Sequence, residues 1–236
     1  MTMSTADRRT RIADAAVTTI AGKGLRALTH RALDTALDLP PGSVSYYFRT
    51  RDALLTAVAE RITQRSRTDF ETAALRLGGT TTTRTSAEDA LPAAERRTDR
   101  SPGGPAAPPS TALVARGIGE WLDRLLAYRR DDLLARHALI LDGQADPAVR
   151  DRLASSLFSV DRARELFSSW GIEDNRAAED FVAVLEGAVF DRFAGRRRAL
   201  RPGSADSVDQ LTTLVENYLR GVRGGAATGA PGHRAR

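Results

Sequence analysis

The stretch Leu-Pro-Pro-Gly-Ser-Val-Ser-Tyr-Tyr-Phe-Arg-Thr-Arg-Asp-Ala-Leu-Leu, residues 39–55, constrains the fold of this chain more than any other. Two adjacent prolines and a glycine forbid a continuous helix through it. Pro40 pushes Leu39 out of the helical region, and Pro41 suits the first turn of a new helix. That helix has to be short, about residues 41–47, because Thr50 is placed to cap another one. Val44 and Phe48 lie four apart and point inward, which leaves Gly42, Ser43, Ser45 and Tyr46 pointing outward. A short exposed helix with hydroxyls and tyrosines beside basic residues is a surface suited to meeting a partner.

Helical periodicity surrounds this stretch. Ile12, Ala15, Ala16, Thr19 and Ile20 give a first helix one apolar face, and Gly22-Lys23-Gly24 stops it. Thr29 caps a second helix with Ala32, Leu33 and Ala36 on its inner side. After Thr50, a long fourth helix carries Leu54, Leu55, Val58 and Ile62 and runs to about Leu77. A Gly/Thr/Ser/Pro-rich stretch follows, residues 78–110, whose composition cannot bury a core and is expected to be disordered. Helices resume at Thr111: a fifth with Trp121 and Tyr128, and a sixth with Leu133, His137 and Leu141. A seventh runs from the Asp146-Pro147 cap to Trp170, past Leu153, Phe158 and Phe167. The eighth spans 175–194, and the ninth opens on Ser207 and Gln210 as a capping box. No segment alternates like a strand. The reading is all-α, about nine helices.

Charge divides the chain. Residues 1–67 hold 11 Arg/Lys and 6 Asp/Glu, residues 68–219 are net −4, and residues 220–236 hold four arginines and no acid. A basic head on a mildly acidic body suits a nucleic-acid reader with a separate second function. The chain has no cysteine, three scattered histidines, no phosphate-binding glycine loop and no run of 18 apolar residues. These absences argue against an enzyme, a cofactor, a metal site and a membrane span. With no apolar leader at the N-terminus, a cytoplasmic protein is expected.

Leu-Thr-His-Arg-Ala-Leu at 28–33 and the 39–55 stretch, with Ala-Ala in the first helix and Lys-Gly-Leu after it, resemble the DNA-binding domain of TetR-family transcriptional regulators. The resemblance covers about residues 8–60. It implies a helix-turn-helix in which Gly42, Ser43, Ser45 and Tyr46 face bases. Tyr47 and Arg51 would hold phosphates, Thr29 and His30 would meet the backbone, and Arg31 would reach a guanine edge or a phosphate. One departure stands before the stretch: Asp38 occupies a turn position where the family usually has glycine.

The resemblance also implies a C-terminal helical domain that binds a small effector and forms a homodimer, so that double-stranded DNA with a palindromic operator is the partner. Trp121, Tyr128, His137, Phe158 and Trp170 are candidates for the effector pocket, although each also reads as ordinary packing. Phe181, Leu185, Gly187, Ala188, Leu211, Val215 and Tyr218, on the wide apolar faces of the last two helices, are candidates for the dimer interface. Glu186, mid-way along an apolar helix, is either a paired interface charge or a ligand contact. The resulting layout is a helix-turn-helix domain (1–49), a connecting helix (50–77), an insert (78–110), an effector and dimerisation domain (111–222) and a disordered basic tail (223–236). The function that follows is a dimeric repressor released from DNA by its effector; the alternative is a nonspecific, nucleoid-type DNA binder.

Overall fold

The structure, a computed structural model, describes residues 4–79, 109–142 and 146–228. Every regular element among them is helical. The ten α-helices are α1 (Thr5–Lys23), α2 (His30–Ala36), α3 (Ser43–Tyr47), α4 (Arg51–Gly79), α5 (Thr111–Tyr128), α6 (Arg130–Leu141), α7 (Pro147–Ala154), α8 (Val160–Ser168), α9 (Asn175–Ala194) and α10 (Ala205–Thr228). Most of the insert expected at 78–110 lies outside the described residues. Helix α4 continues through Gly79, and α10 continues to Thr228, past residue 223 where a disordered tail was expected.

Local signals placed most helix starts. The Thr29 hydroxyl accepts from Ala32 N, that of Thr50 from Ala53 N, and the Asp146 carboxylate from Ala148 N just before Pro147. Three expectations need correction. Pro40 O accepts from Ser43 N at 3.1 Å, while Gly42 has φ 88° and ψ −5°. These residues form a type II turn with Pro41 and Gly42 at its centre, so α3 begins after Pro41, at Ser43. The single helix expected from Asp146 to Trp170 is two, α7 and α8, with a fresh cap at Ser159 accepting from Arg162 N. The last helix starts before Ser207: Ser204 accepts from Ser207 N, and the Ser207 side chain is fully buried, donating to Asp123 Oδ1 at 2.5 Å.

Two apolar clusters form the interior. The first gathers Ile12, Ile20, Leu33, Val44, Phe48 and Ile62 from α1–α4, and is completed by Ala135 and Leu139 of α6 and Val149 and Leu153 of α7. Burying each leucine, isoleucine or phenylalanine contributes about 1.5–3 kcal/mol. The head therefore does not close on itself at residue 49; two helices from beyond the insert finish its core. The second cluster joins α5, α8, α9 and α10. Helices α5 and α10 cross at Gly119, where an added Cβ would lie 2.8 Å from the Thr212 backbone nitrogen.

The apolar girdle of α9 and α10 is mostly consumed in this second cluster. Phe181, Leu185, Ala188, Leu211 and Val215, expected at a dimer interface, are buried within the protomer. Tyr218 is half-buried, stacks on Phe181 and donates its hydroxyl to Ala177 O. Only Gly187 of the seven is exposed. Apolar width along a helix counts how much must be covered, and here α5 and α8 do the covering.

Candidate nucleic-acid interface and interior cavity

Helix α3 has five residues, too few to hold itself together by its own hydrogen bonds. Side chains from α1 and α2 hold it. The buried carboxylate of Asp34, on α2, accepts from Gly42 N through Oδ2 and from Val44 N through Oδ1, both at 2.8 Å. It thereby caps the N-terminus of a helix it does not belong to, where negative charge is favoured. At the other end, His30 Nε2 donates to Phe48 O at 2.7 Å. Arg9 Nη1, on α1, donates to Tyr47 O at 2.5 Å, with its guanidinium 4.2 Å above the Phe48 ring. Val44 and Phe48 are buried beneath, as their spacing predicts.

The turn before α3 is set by Asp38, whose φ of 52° makes it the one non-glycine residue with positive φ among those described. Leu39 N bonds to Asp34 O at 2.8 Å and Asp38 N to Thr35 O at 3.3 Å, the paired bonds of a Schellman ending. The departure from glycine is thus accommodated in the left-handed conformation that aspartate tolerates.

With the helix fixed, its outer side is Ser45 and Tyr46, the latter 80% exposed. Gly42 is exposed, but its amide is committed to Asp34, and Ser43 is half-buried with its hydroxyl donating to Pro40 O at 2.6 Å. Tyr47 is half-buried and lies edge-on to Tyr46, ring centres 5.2 Å apart. Thr29 is exposed at the cap of α2 and Arg31 is exposed in its first turn. The His30–Phe48 bond brings this end of α2 against the end of α3. Arg51 is engaged otherwise than its expected role requires. Its guanidinium donates to Leu28 O and, at 2.9 Å, to Leu25 O, stapling the start of α4 to the segment before α2. Arg49 is exposed with no ion pair among the described residues.

Sequence reading missed Asp34 and Arg9. The available signal was indirect: α3 follows a glycine and has no capping side chain of its own, so some distant acceptor had to supply one.

A cavity of about 400 Å³ lies in the body. Its walls are Phe70 of α4, Val114, Ile118 and Trp121 of α5, Phe158 with Ser159 and Arg162 of α8, and Phe181 and Leu185 of α9. Of the five aromatic and histidine candidates, Trp121 and Phe158 line it, edge to face at 5.5 Å. The other three do not. Tyr128 is 82% exposed at the end of α5. Trp170 donates its indole N–H to Pro109 O and packs on Phe167. His137 sits against Phe190 and Phe193. There, burial and, next, the charge of Arg136 lower its pKa below the ordinary value.

Glu186 is answered by Arg136 of α6, which is 2% exposed and pairs with it through two bonds of 2.8 and 2.6 Å. The same guanidinium donates to Leu153 O and Ala154 O, the last carbonyls of α7. One buried arginine thus ends α7 and ties it to α9, so Glu186 is a structural partner.

Models of protein families match both parts of the chain. Residues 12–58 match the "Bacterial regulatory proteins, tetR family" domain, and residues 109–228 match "Tetracyclin repressor-like, C-terminal domain". A search of curated proteins found no match. Among solved structures, a TetR-family member from Streptomyces coelicolor A3 superposes with a TM-score of 0.57 at 20% identity, covering 88% of this chain and 98% of that one. The multidrug binding protein EbrR complexed with malachite green gives 0.56 at 21%, covering 91% and 97%. These similarities show a shared fold. Together with an N-terminal helix-turn-helix whose recognition helix is fastened at both ends, the two family matches establish that the chain belongs to the TetR family of bacterial regulatory proteins.

Proposed function

We propose that the protein is a dimeric repressor that leaves a palindromic operator when a small molecule enters the body cavity. The observation that carries this reading is the double duty of α4. Leu54, Val58 and Ile62 near its start belong to the head core, while Phe70, further along, forms part of the cavity wall. Ion pairs fasten the helix on both sides. Arg65 of α4 bridges Asp14 of α1 at 2.7 Å and Asp132 of α6 at 3.0 Å, and Arg129 joins Asp132 to Asp69 of α4. A ligand that displaces Phe70 would move the head relative to its twin, and a differential affinity of a few kcal/mol suffices for release.

In this reading Ser45 and Tyr46 meet base edges. Thr29, His30, Tyr47 and Arg31 meet phosphates or position the head, while Arg51 acts by holding α4 in place. Binding of the DNA upstream of its own gene tests the assignment by gel shift. Tyr46→Ala should weaken specific binding about tenfold, the equivalent of 1.4 kcal/mol, and leave thermal stability unchanged because the side chain is exposed. Unchanged specific binding by that variant would refute the base contact. Binding that falls steeply with added salt and shows no preferred sequence would favour a nonspecific binder.

For the dimer, the exposed side of α9 offers Ala183, Gly187 and Phe190, the last 46% exposed, and that of α10 offers Thr213 and Asn217. Small residues allow two helices to approach their twins closely, and Phe190 supplies an apolar anchor. Gly187→Arg should yield monomers in sedimentation; a dimer that persists would place the interface elsewhere.

A further inference from the structure

We infer that the effector cavity takes an apolar molecule bearing a carboxylate or similar anion, and discriminates against lipophilic cations. This inference rests on the reading of the cavity as the effector site and specifies its ligand.

The polar side chains among the described lining residues are three, Trp121, Ser159 and Arg162, and each carries an N–H or O–H donor. The indole N–H of Trp121 is buried without a hydrogen-bond partner. A buried donor left unpaired costs about 1–3 kcal/mol, which an acceptor on a ligand would recover. The Ser159 hydroxyl oxygen already accepts from Arg162 N, so its proton remains to be given. Arg162 contributes the one charged side chain among the described lining residues, and its guanidinium carbon lies 5.8 Å above the ring of Phe70. No aspartate or glutamate is among the described lining residues.

A cation entering this space would be desolvated among apolar walls and, among the described lining residues, would meet the Arg162 guanidinium and no carboxylate. The aromatic rings are already engaged: Arg162 lies over Phe70, and Trp121 packs edge to face with both Phe70 and Phe158. An anion meets the opposite situation. Arg162 does have a partner, Glu165 at 2.9 Å, but both side chains are more than 60% exposed. Such a surface pair contributes about 0–1 kcal/mol, so it yields readily to a carboxylate held against the cavity.

Calorimetry on the full chain with three probes of matched length tests this: decanoate, decanol and decyltrimethylammonium. Decanoate should bind at least tenfold more tightly than the ammonium compound, with decanol between them. Arg162→Gln should lower decanoate affinity to that of decanol and leave decanol unchanged, whereas Arg162→Lys should retain most of the preference. Cation binding equal to or tighter than decanoate would overturn the proposed ligand class while leaving the cavity an effector site. An equal loss of decanoate and decanol in Arg162→Gln would overturn the role of the guanidinium. Binding of none of the three, in protein that still shifts operator DNA, would overturn the effector reading of the cavity and this inference with it.

Discussion

The head and the body each contain a helix too short to stand alone, and they solve the problem with charges of opposite sign. In the head, the five-residue α3 presents unbonded amides at its N-terminus, and the Asp34 carboxylate takes two of them. Beyond the insert, the eight-residue α7 ends on carbonyls, and the Arg136 guanidinium donates to the last two, Leu153 O also accepting from Ser156. Each charge matches the end of the helix dipole it faces. The difference lies in what else each group holds. Asp34 serves only the turn and α3, so it fixes a reading surface. Arg136 spends its remaining donors on Glu186 of α9, so it joins the part of α7 that completes the head core to the part of the body that lines the cavity. One lock is local and rigid; the other spans the two cores.

Breaking the spanning lock should cost most. Glu186→Gln leaves a buried guanidinium without its counter-charge, and unfolding in urea should show a loss of about 3–5 kcal/mol. A loss below about 1 kcal/mol would mean that the two α7 carbonyls alone satisfy Arg136. Removal of the local lock comes next. Asp34→Ala strands the Gly42 and Val44 amides and should cost about 3 kcal/mol, with operator binding abolished even where the protein remains folded. If DNA binding survives while stability falls, the carboxylate supports the fold without orienting α3.

Two smaller changes sharpen the comparison. Asp38→Gly relieves the left-handed backbone just after the segment that carries Asp34, and should raise stability by about 0.5–1 kcal/mol in thermal unfolding. Beside the spanning lock, His137 faces Phe190, Phe193, Arg136, Glu186 and the Leu133 carbonyl. Burial and then Arg136 depress its pKa below the ordinary 6.5, so the folded state binds the proton less readily than the unfolded one. Its contribution to stability is full above pH 6.5 and is lost as pH falls through the folded-state value. His137→Gln should flatten the decline in melting temperature below pH 6.5; an unchanged slope would show that the ring takes up protons equally in both states.

Much of the head was legible because its signals act over short distances. Thr29, Thr50 and Asp146 announce helix starts through bonds that reach two or three residues. Pro40, Pro41 and Gly42 specify a turn by their own backbone limits, although the turn they form delays α3 by two residues. Val44 and Phe48 announce an inner face by spacing. The body was less legible. A continuous apolar period across Leu153, Leu157 and Val160 hides the break between α7 and α8, where the last carbonyls of α7 are held by Ser156 and by an arginine 17 residues earlier in the chain. The cavity was anticipated as aromatic, but its wall could not be chosen from helical spacing alone.

The sequence by itself determined the helical class, the position of the recognition helix to within two residues and, in Ser45 and Tyr46, two of the four residues expected to point out of it, because periodicity, caps and turn residues act within a few bonds of where they stand. Only the tertiary structure decided which apolar faces are spent inside the protomer, that Arg51 staples backbone, that Ser207 is buried against Asp123, and that Phe70 of α4 reaches the cavity. Those outcomes depend on which distant helix arrives to bury a face or take up a charge, and that is a property of packing between elements that no local pattern contains.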